Sequence, residues 1–156
     1  MSHSAARQFT ARAALLLSAA AFGCSDGTAV NGTRQLGALR PDITGILSGP
    51  DTVRAGARVS FVVTTAGSNC TRPAGASVRA LDVLPAGSTP PASRILIEPY
   101  DFVPDYCGPR EIISIPRTVS FRVPPRTGAL EIVVRGRSRF GGLDTLEIRD
   151  TVVIVP

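Results

Sequence analysis

The sequence predicts an all-β protein, folded as an antiparallel sandwich of about seven to nine short strands. Short runs of alternating apolar and polar residues are separated by turn residues at near-regular spacing, and no stretch has a convincing period of 3.6. Hydrophobic residues make up 44% of the chain, which is enough to build a core. The 15 glycines and 13 prolines stay below the fraction that is typical of disorder. The length of 156 residues leaves room for one domain.

Each predicted strand is an apolar or alternating run that ends at glycine, proline, serine or another polar residue. Val59, Phe61 and Val63 give the clearest alternation and predict a strand with one buried face. Pro99 and Pro116 are expected to end the strands before them, because proline cannot donate a backbone hydrogen bond. The predicted strands cover residues 43–47, 59–64, 77–84, 95–97, 112–115, 118–123, 130–135 and 146–154.

The last two strands are expected to form a hairpin around Gly141-Gly142. A two-residue turn there would place apolar positions opposite polar ones, whereas a shift by one residue places Leu130 opposite Ile154 and Arg137 opposite Glu147. Register must keep one face apolar, so we predict a three-residue loop with a glycine in the left-handed region.

The order of motifs resembles bacterial immunoglobulin-like domains over residues 42–156. The resemblance is carried by residues 50–56, which lead into the Val59 strand, and by residues 119–134 near the end. It implies an immunoglobulin-like β-sandwich. The chain departs from antibody domains because it has no tryptophan and its cysteines fall in predicted loops. A fold of this kind does not by itself give a function.

The first 23 residues have the pattern of a signal peptide. Arg7 and Arg12 form a positive segment, and residues 13–22 are apolar except for Ser18. This apolar run has the length of a signal-peptide core and is too short to span a bilayer as a helix. The run leads into Ala21-Phe22-Gly23-Cys24.

This ending resembles the lipobox of bacterial lipoproteins. The resemblance implies that Cys24 receives a diacylglycerol and becomes the acylated N-terminus, so that membrane lipid is the first expected partner. The family usually has leucine in place of Ala21 and a small residue in place of Phe22. The alternative is ordinary secretion, with cleavage after Ala21. Residues 24–41 are expected to be a flexible tether, because they are polar and lack periodicity.

The resemblance also implies a location. By the sorting pattern of the lipoprotein family, Ser25 after the cysteine favours the outer membrane if the host is Gram-negative. The expected location is therefore the bacterial cell envelope.

The two remaining cysteines are expected to form a disulfide. With Cys24 acylated, Cys70 and Cys107 are an even pair in an oxidising compartment. Closing a loop of this length contributes about 4 kcal/mol in the chain-entropy model. The alternative, a metal site, lacks partners because the only histidine, His3, lies in the removed segment.

Residue chemistry favours a non-enzymatic protein without cofactor or metal. Residues 24–156 contain no histidine and no lysine, which removes the usual general bases and zinc ligands. An alternative is a carboxylate- or calcium-dependent hydrolase that uses Asp101, Asp105 or Glu111, but no calcium-loop pattern is present and a solvated loop is expected. The net charge of +3 over residues 24–156 is spread without runs, so nucleic acid is not expected as a partner.

The best candidate for a binding surface is the predicted loop 99–110. It carries Tyr100, Phe102 and Tyr106, and Cys107 constrains it. Rigid aromatic side chains bind with a small ordering cost, so this loop is the place where an envelope protein or a glycan could bind, although rings that cover the open edge of the sandwich are the favoured interpretation. The alternative is that the rings only cover an edge of the sandwich, as in a purely structural envelope protein.

An arginine stripe at residues 135, 137 and 139 could meet anionic headgroups, but a solvated outer face is the favoured interpretation.

Overall fold

The computed structural model describes residues 31–40, 45–81, 93–108, 111–138 and 142–156. These residues contain strands and no helix, which confirms the all-β prediction. The signal-peptide-like segment and Cys24 lie outside the described residues. The strands are β1 (Gly32–Leu36), β2 (Leu47–Ser48), β3 (Thr52–Arg54), β4 (Arg58–Ser68), β5 (Arg72–Leu81), β6 (Ser93–Pro104), β7 (Ile112–Arg122), β8 (Gly128–Arg137) and β9 (Thr145–Val155).

The described strands form a six-stranded sheet and a three-stranded sheet with the order β2-β4-β7. In the larger sheet, β6 pairs with β5 along one edge and with β8 and then β1 along the other. β8 continues to β9, and β9 to β3. The β6–β8 and β3–β9 pairs are parallel. The prediction of purely antiparallel pairing was therefore wrong, because alternation shows which face of a strand is buried and not which strand lies beside it.

Apolar residues from both sheets form one core. β4 and β7 contribute Phe61 and Phe121, whose rings stack at 5.7 Å between centroids. The larger sheet contributes alternate residues of its strands, among them Ile97, Leu130 and Val152. Burial of these side chains is the main stabilising contribution to a fold of this size.

Residues 32–40 belong to the folded domain, although the sequence predicted a flexible tether as far as residue 41. β1 pairs with the second half of β6, and Ala38 and Leu39 behind it are fully buried. The Ala38 carbonyl accepts a hydrogen bond from Ala66 of β4 at 2.8 Å, which links the two sheets. The tether prediction failed here because a short strand without clear alternation has no signal in its own sequence.

Two glycines allow β1 and β8 to meet closely. A Cβ atom on Gly136 would lie 2.5 Å from the carbonyl oxygen of Gly37, a backbone atom that cannot easily move. The close contact lets Leu39 donate to the Arg137 carbonyl at 2.8 Å and Arg137 donate to the Gly37 carbonyl at 2.9 Å. The chain thereby crosses from the edge of β6 to the end of β8.

The predicted loop 99–110 is a strand as far as Pro104. β6 continues through Pro99, which lies where the neighbour of β6 changes from β8 to β1. The Pro99 carbonyl accepts a hydrogen bond from Gly37 at 2.8 Å. Pro99 therefore marks a change of partner and not the end of the strand.

Pro116 also lies within a strand and does not end one. It faces Thr64 across the β4–β7 pair, and the Thr64 N–H donates away from β7, to the Ile46 carbonyl at 2.9 Å. Among the described strands β7 pairs only with β4, so no ladder bond is lost at this position of an edge strand. The two predicted strands at 112–115 and 118–123 are therefore one.

The β8–β9 hairpin has a different register from the predicted one. Leu130 lies opposite Val152 and Arg137 opposite Thr145, so the predicted register was wrong, whereas the tip of the loop at residues 139–141 lies outside the described residues. Both registers keep the same apolar face. The observed one places Arg135 opposite Glu147, whereas the predicted one would have placed it opposite Arg149, and like charges across a strand pair are destabilising.

Candidate binding site at the disulfide end

The turn before β5 and the segment after β6 are joined by the disulfide that the sequence predicts. The Sγ atoms of Cys70 and Cys107 lie 2.01 Å apart. The turn is further held by backbone bonds, in which Asn69 donates to the Glu111 carbonyl at 3.0 Å and Thr71 to the Ser68 carbonyl at 2.8 Å. Residues 69–71, 105–108 and 111 are called the disulfide end below. Asn31 also lies there, because its carbonyl accepts a hydrogen bond from Asp105 at 2.9 Å.

The three aromatic residues predicted to bind a partner lie in two different settings. Tyr100 and Phe102 are alternate residues of β6 and share one face of the sheet, where both are half-buried. Tyr106 follows the strand and is 88% exposed. The structure thus brings the three residues to one region, but only Tyr106 is in a loop.

An arginine from β1 packs onto this aromatic face. Arg34 lies opposite Phe102, and its guanidinium carbon is 4.0 Å from the centre of the Tyr100 ring. Its Nε donates to the Ala74 carbonyl at 3.3 Å. A cation over an aromatic face is attracted by the ring quadrupole, so Tyr100 positions Arg34. Gly32 makes room here, since a Cβ on it would clash with the Phe102 ring.

A second arginine lies on the other side of Phe102. Arg72 of β5 is the direct partner of Phe102 across the β5–β6 pair. Arg72 is exposed and makes no hydrogen bond or ion pair with any described residue. Phe102 therefore lies between two arginines in the sheet, and Arg72 makes no polar contact within the described part of the chain.

An open cleft lies beside Arg72 and Phe102. It has a volume of about 400 Å³, and one wall is the exposed Tyr106 ring. Because the disulfide joins both sides of the cleft, its width is fixed covalently. The arrangement offers an aromatic surface beside hydrogen-bond donors, which suits a ligand with an anionic or polar group. The lining residues are Asn69, Cys70, Arg72, Phe102, Pro104 and Tyr106.

Asp101 does not lie in a solvated loop, contrary to the prediction. It is fully buried and points to the core side of β6, where it pairs with Arg117 of β7. Asp105 and Glu111, its proposed companions in a hydrolase, are both exposed. Within the described ranges, no three His, Cys, Asp or Glu residues lie close enough to hold a metal ion.

The predicted arginine stripe is not a uniform solvated face. Arg135 pairs with Glu147 at 2.8 Å and with Glu98 at 3.5 Å, and the Glu147 bond is the main reason that the pKa of Arg135 is raised. Arg137 is buried and donates to the Leu36 carbonyl at 2.6 Å. Burial lowers the pKa of Arg137, and the charge of Asp101 partly offsets that effect. Arg139 lies outside the described residues.

Sequence reasoning found the aromatic residues of the site but missed Arg34, Arg72 and Asn69. No local signal could have found the two arginines, because their positions beside Phe102 depend on the registers of β1 and β5 against β6. Asn69 could have been found from its place beside Cys70.

Comparison with known proteins gives no further guide. No family model matches the chain, and neither the curated proteins nor the solved structures contain a match. Among the described residues no helix is both long and apolar enough to cross a membrane.

Proposed function

We propose that the chain is a lipid-anchored, non-enzymatic module of the bacterial cell envelope. The support lies in the residues that precede the domain, where a positive segment, a ten-residue apolar run and Cys24 follow one another. A disulfide at Cys70 and Cys107 is compatible with an oxidising compartment outside the cytoplasm. An acylated cysteine with more than one chain would give stable anchoring.

The fold that we propose for the module is an immunoglobulin-like β-sandwich, in the sense of two packed sheets with antiparallel strand pairs. Two sheets that share one core and the antiparallel β4–β7 and β8–β9 pairs support it. The parallel β6–β8 pair departs from the immunoglobulin fold, whose two sheets are antiparallel. The proposal is therefore a sandwich with its own strand order.

The module acts by binding, and the cleft at the disulfide end is its binding site. The observation that carries this proposal is Arg72, a guanidinium without a partner among the described residues, in a cleft beside the exposed Tyr106. A guanidinium in a cleft is suited to bind a carboxylate or phosphate of a ligand, because arginine forms strong, often bidentate hydrogen bonds to these anions.

The anchor is tested by the intact mass of the mature protein, measured without reduction beside a Cys24→Ala variant. We expect a diacylglycerol-bearing N-terminus at Cys24 and a mass two hydrogens below that of the reduced chain. A mass that begins at Phe22 and carries no lipid would show a freely secreted protein and overturn the anchor.

Binding is tested by the retention of a non-lipidated chain, residues 24–156 with Cys24→Ser, on isolated cell envelopes. We expect an Arg72→Ala/Tyr106→Ala variant to lose most of its retention. The matched control is Arg122→Ala/Val153→Ala, which removes an exposed arginine and an exposed apolar residue far from the cleft. Equal retention of both variants, with equal melting temperatures, would contradict the cleft as the binding site and favour a purely structural role.

A further inference from the structure

We infer that the ligand of this cleft is the membrane surface itself, which the disulfide end contacts through headgroup phosphates and exposed apolar side chains. This inference rests on the proposed lipid anchor and names the partner of the proposed site. It follows from three features of the chain: the position of its tether, the distribution of its exposed apolar side chains, and the charges beside them.

The tether brings the disulfide end close to the bilayer. Asn31 lies seven positions after Cys24, and a fully extended residue spans at most about 3.6 Å. Asn31 therefore lies within about 25 Å of an acylated Cys24. The opposite end of the domain lies about 40 Å from Asn31, because the 12 residues of β6 span that length at the usual rise of a strand.

Large apolar side chains are exposed at the end where the tether enters. Tyr106 is 88% exposed and Ile112, the first residue of β7, is 57% exposed. Leu143 is 94% exposed and follows β8, which runs parallel to β6 and so points toward the same end. Tyrosine with neighbouring aliphatic side chains is typical of the membrane–water interface.

The opposite end lacks this feature in the part of the chain that the structure describes. Its turns are made by residues 49–51, 55–57 and 123–127, and none of these is a large exposed hydrophobic residue. The two other large exposed hydrophobic residues among those described, Val62 and Val153, lie on strand faces. Among the described residues, the large exposed apolar side chains outside the strand faces are therefore concentrated at this end.

The charges at this end fit phospholipid headgroups. Arg72 lines the cleft and can donate to phosphate oxygens, and the exposed Arg34 lies on the same face of the sheet. Asp105 and Glu111 are exposed nearby, so the surface is not simply positive. Positive and negative groups on one surface match a headgroup layer of phosphate and ammonium groups, in which the arginines bind the phosphates.

The test uses tryptophan fluorescence, because the chain has no tryptophan of its own. A Tyr106→Trp variant reports on the disulfide end, and a Thr127→Trp variant reports on the exposed turn at the opposite end. Each lipidated mature protein is placed in vesicles of phosphatidylethanolamine and phosphatidylglycerol, with and without lipids brominated near the headgroup. We expect bromine to quench the fluorescence of the Tyr106→Trp variant several-fold more than that of the Thr127→Trp variant. Equal quenching, no quenching, or quenching of the Thr127→Trp variant alone would overturn the inference while leaving the anchor intact.

A second measurement removes the anchor, so that the two proposals can fail separately. The Cys24→Ser chain is sedimented with the same vesicles, beside Tyr106→Ser/Ile112→Ser/Leu143→Ser and the matched control Val62→Ser/Val153→Ser. We expect the triple variant to lose most of the bound fraction and the control to keep it. If the wild-type chain does not bind vesicles, or if all variants bind equally, the docking surface is wrong. Binding to envelopes that protease treatment abolishes would identify a protein partner instead.

Discussion

At the residue scale, the most unusual group is the Asp101–Arg117 pair between the two sheets. Both side chains are buried, and Arg117 also donates to Thr65 Oγ1 at 2.6 Å and to the Tyr100 and Gly75 carbonyls. These bonds link β4, β5, β6 and β7. Burying two charges costs several kcal/mol, which the mutual attraction and the added hydrogen bonds must offset. Asp101 Oδ2 and Arg117 Nε have no hydrogen-bond partner, so the hydrogen bonds of the pair do not fully compensate for the cost of burying its charges.

The pair leads to a prediction about stability. Asp101→Asn removes the negative charge and leaves the Arg117 guanidinium buried without a counterion. We expect a loss of about 3–5 kcal/mol in the free energy of unfolding, as for other buried pairs from which one partner is removed. Urea unfolding at neutral pH measures it. Asp105→Asn, at an exposed position four residues away, is the control and should change stability by less than about 0.5 kcal/mol.

A double variant separates pairing from packing. Asp101→Leu/Arg117→Met removes both charges and keeps an apolar filling of similar size, so it should recover most of the stability lost in Asp101→Asn. If Asp101→Asn is as stable as the wild type, Arg117 has another way to satisfy its charge, and the pair does not hold the sheets together.

At the element scale, charged side chains form a network across four strands of the larger sheet. It runs over the outer face of β5, β6, β8 and β9, and each glutamate contacts two arginines. Leu96 and Val133 lie directly opposite each other within this face and are buried, although they are not part of the core between the sheets. Arginine stems cover apolar surface well while the guanidinium stays solvated. The network consists of Arg79, Glu98, Arg135, Glu147, Arg149, Glu131 and Arg94.

The network makes stability depend on pH. Hydrogen bonds from Arg135 and then Arg149 lower the pKa of Glu147 below its ordinary value of 4.5. A carboxylate with a lowered pKa stabilises the folded state above its ordinary pKa, and this contribution is lost as the pH falls through the folded-state pKa. We expect Glu147→Gln to be slightly less stable than the wild type at neutral pH, and this difference to shrink below about pH 4.5.

Thermal melts of both proteins across that range measure the effect. Asp150→Asn is the control, because Asp150 forms no ion pair with a described residue. A difference between Glu147→Gln and the wild type that stays constant down to the most acid pH would mean that the carboxylate acts through packing and not through its charge.

The elements also show how far the sequence leads. Alternation located β4, β8 and β9 because each of these strands has one apolar face. It missed the second half of β6, where Pro99, Asp101 and Pro104 have the composition of a loop and the strand is defined by its neighbours. It could not choose between two hairpin registers with the same apolar face, since that choice depends on placing Arg135 opposite Glu147. Neighbour order and register are properties of the sheet and not of any single strand.

At the scale of the whole molecule, the disulfide end combines the side of the domain that follows the proposed anchor, the only disulfide among the described residues and the proposed docking surface. The sequence indicated the cysteine pair and the aromatic residues. It could not indicate the arginines, which three strands bring together. The Cys70–Cys107 disulfide closes a long loop and joins the two sides of the cleft, so it should contribute both to stability and to binding.

The last prediction separates these two contributions. A Cys70→Ser/Cys107→Ser variant of the non-lipidated chain should lose about 4 kcal/mol of stability, the entropy of the released loop, and reduction should not destabilise it further. Well below its melting temperature the variant remains folded, so any loss of vesicle binding there reports on the cleft and not on unfolding. We expect binding to fall as well, because the Tyr106 segment is no longer joined to the turn that carries Asn69. If the folded variant binds vesicles as well as the wild type does, the disulfide only stabilises the fold. Tyr106 would then contact the membrane without a fixed cleft.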